Sequence, residues 1–144
     1  MNPTHIILHH SLTADGETVS WQAIRRYHMQ ELGWLDCGYH YGIELIGKEY
    51  EILKGRLDNE AGAHCLGFND KAIGICNVGN FDIHAPSDIL FNKLARFCRS
   101  LMDIYGLKSD CVLGHRETYA LLGKPQAKTC PGNFFDMTKF RQMI

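Results

Sequence analysis

Three residues of metal-binding type lie beside short apolar runs of the chain. His9 follows the run 6–8, His115 follows the run 111–113 and a glycine, and Cys130 comes 15 positions after His115. Imidazole nitrogen and thiolate sulfur are the ligands that zinc prefers. Strand ends are held firmly by their hydrogen-bonded neighbours while facing solvent, which suits an open site. The spacing therefore suggests three protein ligands and one free position, the arrangement of a catalytic zinc.

Spacing alone leaves other interpretations open. A single histidine at a strand end is more often a surface or hydrogen-bonded residue, and a single cysteine is more often a small buried apolar one. A structural zinc would favour four ligands and CxxC pairs, which the sequence lacks. The one HxxxH pair, His5 and His9, falls in a strand-like run, where it spans ~13 Å and cannot share a metal. Cys130 could instead be a nucleophile with His115 as its base.

Bulk properties exclude several classes of protein. The 144 residues are 45% apolar and 22% charged, which fits one globular domain over residues 1–144. A formal charge of −1 disfavours nucleic-acid partners and attachment to anionic membranes. No apolar run approaches the ~20 residues needed to span a bilayer, and no signal peptide is visible. We expect a monomer with reduced cysteines, synthesised in the cytoplasm and not inserted into membranes.

The order of periodic segments predicts an α/β domain, a single domain with a central mixed β-sheet of about five strands flanked by about three helices. A turn is expected at Asp15–Gly16 and a long loop over 55–70. Strands are predicted at 4–10, within a hairpin at 39–54, at 72–78 and at 111–114; helices are predicted at 20–32, 87–105 and 134–144.

Several motifs occur together in one order along nearly the whole chain. They are LHHS (8–11), GWLDCGYHY (33–41), EILKGR (51–56), GAHCLGFN (62–69), AIGICNVGNF (72–81), GHRE (114–117) and KTCPG (128–132). With these motifs the chain resembles the type 2 N-acetylmuramoyl-L-alanine amidases, a superfamily that includes phage amidase lysozymes and peptidoglycan recognition proteins.

The resemblance implies a zinc enzyme that hydrolyses the amide between the lactyl group of N-acetylmuramic acid and L-alanine of the peptidoglycan stem peptide. His9, His115 and Cys130 would hold one Zn²⁺ per chain. Lys128 would stabilise the oxyanion as a fixed cation, and Tyr39 would hydrogen-bond the water or the tetrahedral intermediate. Many recognition-only relatives lack the cysteine ligand, so its presence favours an enzyme over a peptidoglycan-binding module, which is the alternative.

Other residues of the same motifs have two interpretations each. His64 lines the substrate cleft or has a structural role. Arg56 and Asn69 bind the peptide or sugar, or brace the long loop. His10 and His40 point towards the core or support the site from behind the ligands.

The resemblance also sets the expected partner and place of action. The partner would be peptidoglycan or a muropeptide, and a phage or prophage origin is consistent with the motifs. Without a signal peptide, the protein would reach the cell wall after release by lysis, a holin or another route. A cytosolic branch of the superfamily has Glu and Asp where this chain has Cys76 and Cys130, so the chain departs from that branch.

Overall fold

The computed structural model describes residues 1–13 and 20–144 and is built around a five-stranded mixed sheet. The spatial order is β3-β2-β4-β1-β5, in which only β2 and β3 are antiparallel. Strand β1, which lies between β4 and β5, is buried along almost its whole length, as expected for a strand with two parallel neighbours. The strands are β1 His5–His10, β2 Tyr41–Ile46, β3 Glu49–Lys54, β4 Ala72–Asn77 and β5 Val112–Gly114.

Four α-helices accompany the sheet. Ser20 and Ser87 cap the first two through their side-chain oxygens, which accept the main-chain N–H groups three residues on. Gly106 ends the second helix in the left-handed conformation, with φ 65°. The helices are α1 Trp21–Arg26, which continues into a π-helical turn at Tyr27–Glu31, α2 Asp88–Tyr105, α3 His115–Leu121 and α4 Met137–Gln142; a 3₁₀ turn covers Ser109–Cys111.

The predicted α/β architecture is confirmed, with two corrections to its helices. The segment after β5 was predicted as a loop but begins with α3, whose first turn is closed by the Glu117 carboxylate accepting the Gly114 N–H at 2.8 Å. The last helix begins at Met137 rather than 134, because the Asp136 carboxylate caps it by accepting the Lys139 N–H. The turn predicted at Asp15–Gly16 lies outside the described residues.

The two faces of the sheet are covered differently. The face covered by α2 and α4, called here the helical face, forms the larger apolar cluster. The opposite face, called here the site face, carries two small apolar clusters and most of the histidines discussed below. Alternation along β1 sends Ile6 and Leu8 to the helical face, and Ile7 and His9 to the site face.

No helix in residues 1–13 and 20–144 combines the length and apolar character needed to cross a membrane.

Candidate metal and catalytic centre

The three predicted metal ligands meet at the carboxyl-end edge of the parallel strands. His9 is the penultimate residue of β1, and His115 is the first residue of α3, directly after the neighbouring β5. Cys130 arrives from the segment that follows α3. All three are buried, and one ligand atom from each lies within 4.8 Å of the others. The structure therefore brings together the three residues that the spacing suggested, and their role as zinc ligands stays a prediction.

A hydrogen-bonded frame holds the segment that carries Cys130. The Arg116 N–H donates to the Cys130 carbonyl at 2.7 Å, and the Arg116 guanidinium donates to the carbonyls of Thr129 at 3.1 Å and Phe135 at 2.8 Å. The Asp82 carboxylate accepts the Thr129 hydroxyl at 2.7 Å. The peptide bond after Cys130 is cis. These contacts fix the cysteine against the ends of β1 and α3.

Burial keeps the three candidate ligands uncharged at neutral pH when no metal is bound. Burial, reinforced by His64 and His115, lowers the pKa of His9 well below its usual value. Burial and then the Lys128 cation lower the pKa of His115 to about 4. Burial raises the pKa of the Cys130 thiol to about 12. Two imidazole lone pairs and one thiol thus face a common centre, and this N,N,S donor set fits a zinc ion that displaces the thiol proton.

Tyr39 lies beside this cluster on the site face. Its ring centroid is 5.2 Å from that of His9, and its hydroxyl hydrogen-bonds the buried thiol of Cys76. Burial, followed by the nearby Cys76 and Cys130 thiols, raises the pKa of Tyr39 well above its usual value. The phenol is therefore a neutral hydrogen-bond donor throughout the physiological range.

Lys128 lies at the mouth of the cluster. Its side chain is exposed, yet its charge contributes to lowering the pKa of both His9 and His115. The ammonium group is therefore within electrostatic range of the candidate metal centre while remaining open to solvent. The structure thus brings Tyr39 and Lys128, which are far apart in the sequence, to the same candidate cluster.

The predicted substrate-binding residues line the loop between β3 and β4, where their side chains bond the protein itself. The Arg56 guanidinium donates to the carbonyls of Cys37, at 2.7 Å, and Ala61. The Asn69 side-chain oxygen accepts two main-chain N–H groups, those of His64 and Cys65, each at 2.8 Å. These contacts brace the loop, and substrate binding by Arg56 and Asn69 stays a prediction.

His64 is placed between the loop and the metal cluster. Its Nδ1 lies 3.0 Å from Nε2 of His9, and its Nε2 lies 3.3 Å from the Ala72 carbonyl. Burial, then the neighbouring His40, lowers the pKa of His64 to about 3, so the ring is neutral at physiological pH. It contacts a candidate ligand directly, and substrate binding by His64 stays a prediction.

The two flanking histidines support the site in different ways. The His10 main-chain N–H donates to the Cys130 sulfur, whereas its ring lies near Phe81 and accepts the Phe81 N–H at 3.1 Å. The His40 ring accepts the Gly74 N–H at 3.0 Å through Nδ1 and donates to the Glu60 carbonyl at 3.0 Å through Nε2. Both rings therefore tie loops to the sheet.

Two supporting residues were missed by the sequence analysis. The Tyr119 ring stacks on the His115 ring with an interplanar angle of 8° and a centroid distance of 5.8 Å. The two are four residues apart, which places them on one face of α3. That helical spacing was the available signal, but the segment had been predicted as a loop. No periodic pattern around Arg116, in the GHRE motif, predicts that it holds the segment of Cys130 through hydrogen bonds.

Comparison with known proteins places this geometry in a family. Residues 1–133 match the family described as N-acetylmuramoyl-L-alanine amidase. The chain belongs to this amidase family. It is 30% identical to peptidoglycan-recognition protein SC1a of Drosophila melanogaster over 135 residues, which are 90% of this chain and 68% of that protein.

The chain is also similar to phage and bacterial proteins. It is 36% identical to the endolysin of Escherichia phage T7 over 86 residues, which are 60% of this chain and 54% of the endolysin. Its fold matches the structure of N-acetylmuramoyl-L-alanine amidase LysC from Clostridium intestinale with a TM-score of 0.81 and 29% identity, covering 98% of this chain and 84% of that one. Hydrolysis of a peptidoglycan amide is the activity that the family and these neighbours support.

Proposed function

We propose that the protein is a zinc-dependent N-acetylmuramoyl-L-alanine amidase, which cleaves the amide between the lactyl group of N-acetylmuramic acid and L-alanine of the stem peptide. The observation that carries the proposal is the buried cluster of His9, His115 and Cys130 within 4.8 Å of one another. Tyr39 and Lys128 flank that cluster, and each supplies a group that amide hydrolysis needs.

The metal would be one zinc per chain, held by His9, His115 and Cys130. When bound, zinc would supply Lewis-acid polarisation of the amide carbonyl and would lower the pKa of its water. The neutral histidines offer their lone pairs without first losing a proton, because burial lowers their pKa values. The His10 N–H, which already donates to the Cys130 sulfur, stabilises that sulfur as a thiolate.

Lys128 acts on the charge that develops as the amide carbonyl becomes tetrahedral. Its ammonium group is exposed, and its charge acts on both His9 and His115. A fixed cation at that place stabilises the oxyanion more than the neutral carbonyl, which lowers the barrier.

Tyr39 acts as a neutral donor beside the reacting atoms. Its raised pKa keeps the proton on the phenol. On giving up its hydrogen bond to the Cys76 thiol, the hydroxyl can donate to the tetrahedral intermediate or to the attacking water. Its ring packs near His9, so the hydroxyl is held at the edge of the cluster.

The test is the release of new alanine amino groups from purified peptidoglycan by the metal-free protein, by the protein after zinc add-back, and by a Cys130→Ser variant. We expect release only in the zinc-loaded wild type. Mass spectrometry of the products should show free stem peptides beginning with L-alanine and intact glycan strands. Cleavage elsewhere in the peptide or the sugar would contradict the proposed bond specificity.

The second candidate is a recognition module that binds peptidoglycan without cleaving it, which the Drosophila recognition-protein relative favours. It predicts cosedimentation with peptidoglycan and no amine release, with or without zinc. A cysteine hydrolase using Cys130 and His115 is disfavoured, because burial raises the pKa of the thiol to about 12. That mechanism predicts activity that survives chelation and is lost on thiol alkylation.

The remaining proposals concern partner, state and place. Peptidoglycan or a muropeptide is the proposed partner, and the protein is proposed to act as a monomer. The phage endolysin relatives support action on the cell wall after release from the cell that makes the protein.

A further inference from the structure

We propose that His64 is a positioning residue, which sets the tautomer of His9 so that His9 presents Nδ1 to the metal. This role goes beyond the three ligands and differs from substrate binding, which the sequence predicted for His64. The inference rests on the proposed function, since it takes His9 as a metal ligand. Its evidence is a fitted slot for the ring and a directed chain of hydrogen bonds.

The slot is formed by two glycines from different parts of the fold. A Cβ added at Gly62, in the loop before β4, would lie 2.4 Å from Cδ2 of His64. A Cβ added at Gly74, in β4, would lie 2.5 Å from the same atom. Any side chain at either position would displace the ring. Asn69 fixes the other end of the residue, because its side-chain oxygen accepts the His64 N–H at 2.8 Å.

The hydrogen bonds of this ring have only one consistent direction. The Ala72 carbonyl can only accept, so the Nε2 of His64 at 3.3 Å carries the proton. In a neutral imidazole the other nitrogen is then an acceptor. The Nδ1 of His64 must accept a proton shared by Nε2 of His9, 3.0 Å away. His9 is therefore protonated on Nε2.

The consequence for His9 is that its Nδ1 is the unprotonated nitrogen, which accepts a hydrogen bond from the Cys130 thiol when no metal is bound. That atom lies 3.6 Å from the sulfur of Cys130, on the side where the three candidate ligands converge. Ligand histidines need such a partner to fix both the tautomer and the ring orientation, and loss of one typically costs 10–100-fold in metal affinity. Because both nitrogens of His64 are engaged by the protein, a substrate group could bond them only by displacing His9 or Ala72.

The first test uses the unaltered, metal-free protein. Long-range ¹H–¹⁵N correlation spectra report which ring nitrogen of each histidine carries the proton. We expect His9 and His64 both as the Nε2–H tautomer. A His9 ring protonated on Nδ1 would overturn the proposal, whatever the protein does to peptidoglycan.

The second test compares His64→Phe with His64→Asn. Phenylalanine fills the slot but accepts no hydrogen bond, whereas the asparagine oxygen can take the place of Nδ1. We expect His64→Phe to weaken zinc binding by about 10–100-fold in competition with a chromophoric chelator, and His64→Asn to recover part of that loss. The visible absorption of the Co²⁺-loaded Phe variant should also change, since one ligand ring is no longer held.

The contrary result is equally clear. If His64→Phe leaves zinc affinity and the Co²⁺ spectrum unchanged and raises only KM for peptidoglycan, His64 is a substrate ligand and the proposal is wrong. Circular dichroism checks that each variant is folded. If a variant does not fold, the ¹H–¹⁵N spectra of the wild-type protein still decide the tautomer of His9. Zinc binding is measured without turnover, so a wild type that binds zinc but releases no alanine would remove the proposed function and leave this test readable.

Discussion

The two faces of the sheet carry different types of side chain, although the same five strands form both faces. The helical face joins aliphatic and aromatic side chains into one large cluster with α2 and α4. The site face replaces many of these with glycine, histidine, cysteine and tyrosine. Gly42 shows the contrast, because a Cβ there would lie 2.2 Å from the Trp21 ring that covers it. One face is packed by its own side chains, and the other leaves room for rings that come from α1 and from loops.

This difference indicates that the helical face contributes mainly to stability, whereas the site face carries the candidate catalytic groups. Apolar burial on the helical face contributes stability in proportion to the area removed from water. The site face buries His9 and His115 in neutral form, which costs free energy relative to their hydrated, titratable state in the unfolded chain. We infer that apolar burial on the helical face offsets the free-energy cost of burying the polar groups of the site face. Substitutions should therefore affect either turnover or folding according to the face that they alter.

The largest effect is expected from removing a catalytic group on the site face. Lys128→Met or Tyr39→Phe should each lower kcat by ~10²–10⁴-fold, because each removes a group that stabilises the transition state. Zinc affinity and the thermal midpoint should stay near wild type. The assay is amine release from peptidoglycan under saturating zinc.

Lys124→Met is the matched control for Lys128→Met. Lys124 is an exposed lysine four residues before Lys128 in the same segment. Equal losses from Lys124→Met and Lys128→Met would mean that a general positive charge, and not an oriented cation, is responsible.

A substitution in the apolar cluster of the helical face should have the opposite effect, lowering stability while leaving turnover unchanged. Leu94 is fully buried on α2. The substitution Leu94→Ala should lower the free energy of unfolding by ~2–5 kcal/mol, because it leaves a cavity. Activity per folded molecule should be unchanged. Ile104→Ala on the same helix, at a residue 69% exposed, should cost much less. Denaturant melts measure both, and a Leu94→Ala protein that folds normally but loses kcat would undo the proposed separation.

The site face should also give the metal-free protein a distinctive pH dependence. The folded pKa values of His115, about 4, and His64, about 3, lie below the usual ~6.5, so the unfolded chain binds more protons. Stability is then fully present above pH ~6.5 and falls as pH drops towards 4, by up to about 1.4 kcal/mol per pH unit for each histidine.

The stabilising contribution of the Glu117 carboxylate changes with pH only in a lower pH range. Burial alone would raise the pKa of Glu117, but hydrogen bonds from Arg141 and Gly114 more than offset this and lower it from its usual 4.5. Its contribution is therefore present above that value and lost below it. Denaturant melts between pH 5 and 7 isolate the histidines, and His115→Phe should flatten the slope. A wild type with equal stability at pH 5 and pH 7 would contradict the burial of neutral histidines.

The smallest effect should come from the ring that orients His115. Tyr119→Ala removes a stacked aromatic partner, and such pairs contribute ~0.5–1.5 kcal/mol, so zinc binding should weaken by ~2–10-fold. Tyr119→Phe keeps the ring and should bind zinc as the wild type does. If the Phe variant is as weak as the Ala variant, the hydroxyl and not the stacked ring is the important group.

The sequence predicted the parts of the fold that rest on regular periodicity. The strands around His9 and Cys76 are compact apolar runs, and α2 has an apolar face and clear ends at Ser87 and Gly106. Helix α3 was missed because its seven residues carry little periodicity and include the candidate ligand His115. Only the packed structure reveals that its Glu117 closes the first turn and pairs with Arg141.

Prediction of the site reached residue types but not their connections. His9, His115 and Cys130 were named from spacing and from resemblance, and they do converge. The bracing by Asn69 and the contact between His64 and His9 depend on how a loop without periodicity folds back on the sheet. The contact between His64 and His9 joins positions 55 residues apart, and no local pattern encodes it.

The distance along the chain between two of the candidate ligands has a mechanical consequence. His9 and Cys130 are 121 positions apart, so a metal bound by both closes a ring of most of the polypeptide. A cross-link of about 100 residues removes ~4–5 kcal/mol worth of freedom from the unfolded chain in the simplest entropic account. In the proposed zinc form, the first strand and the last quarter of the chain cannot separate until the ion leaves. Resistance to proteases and to pulling at the termini would then rise and fall with the supply of zinc.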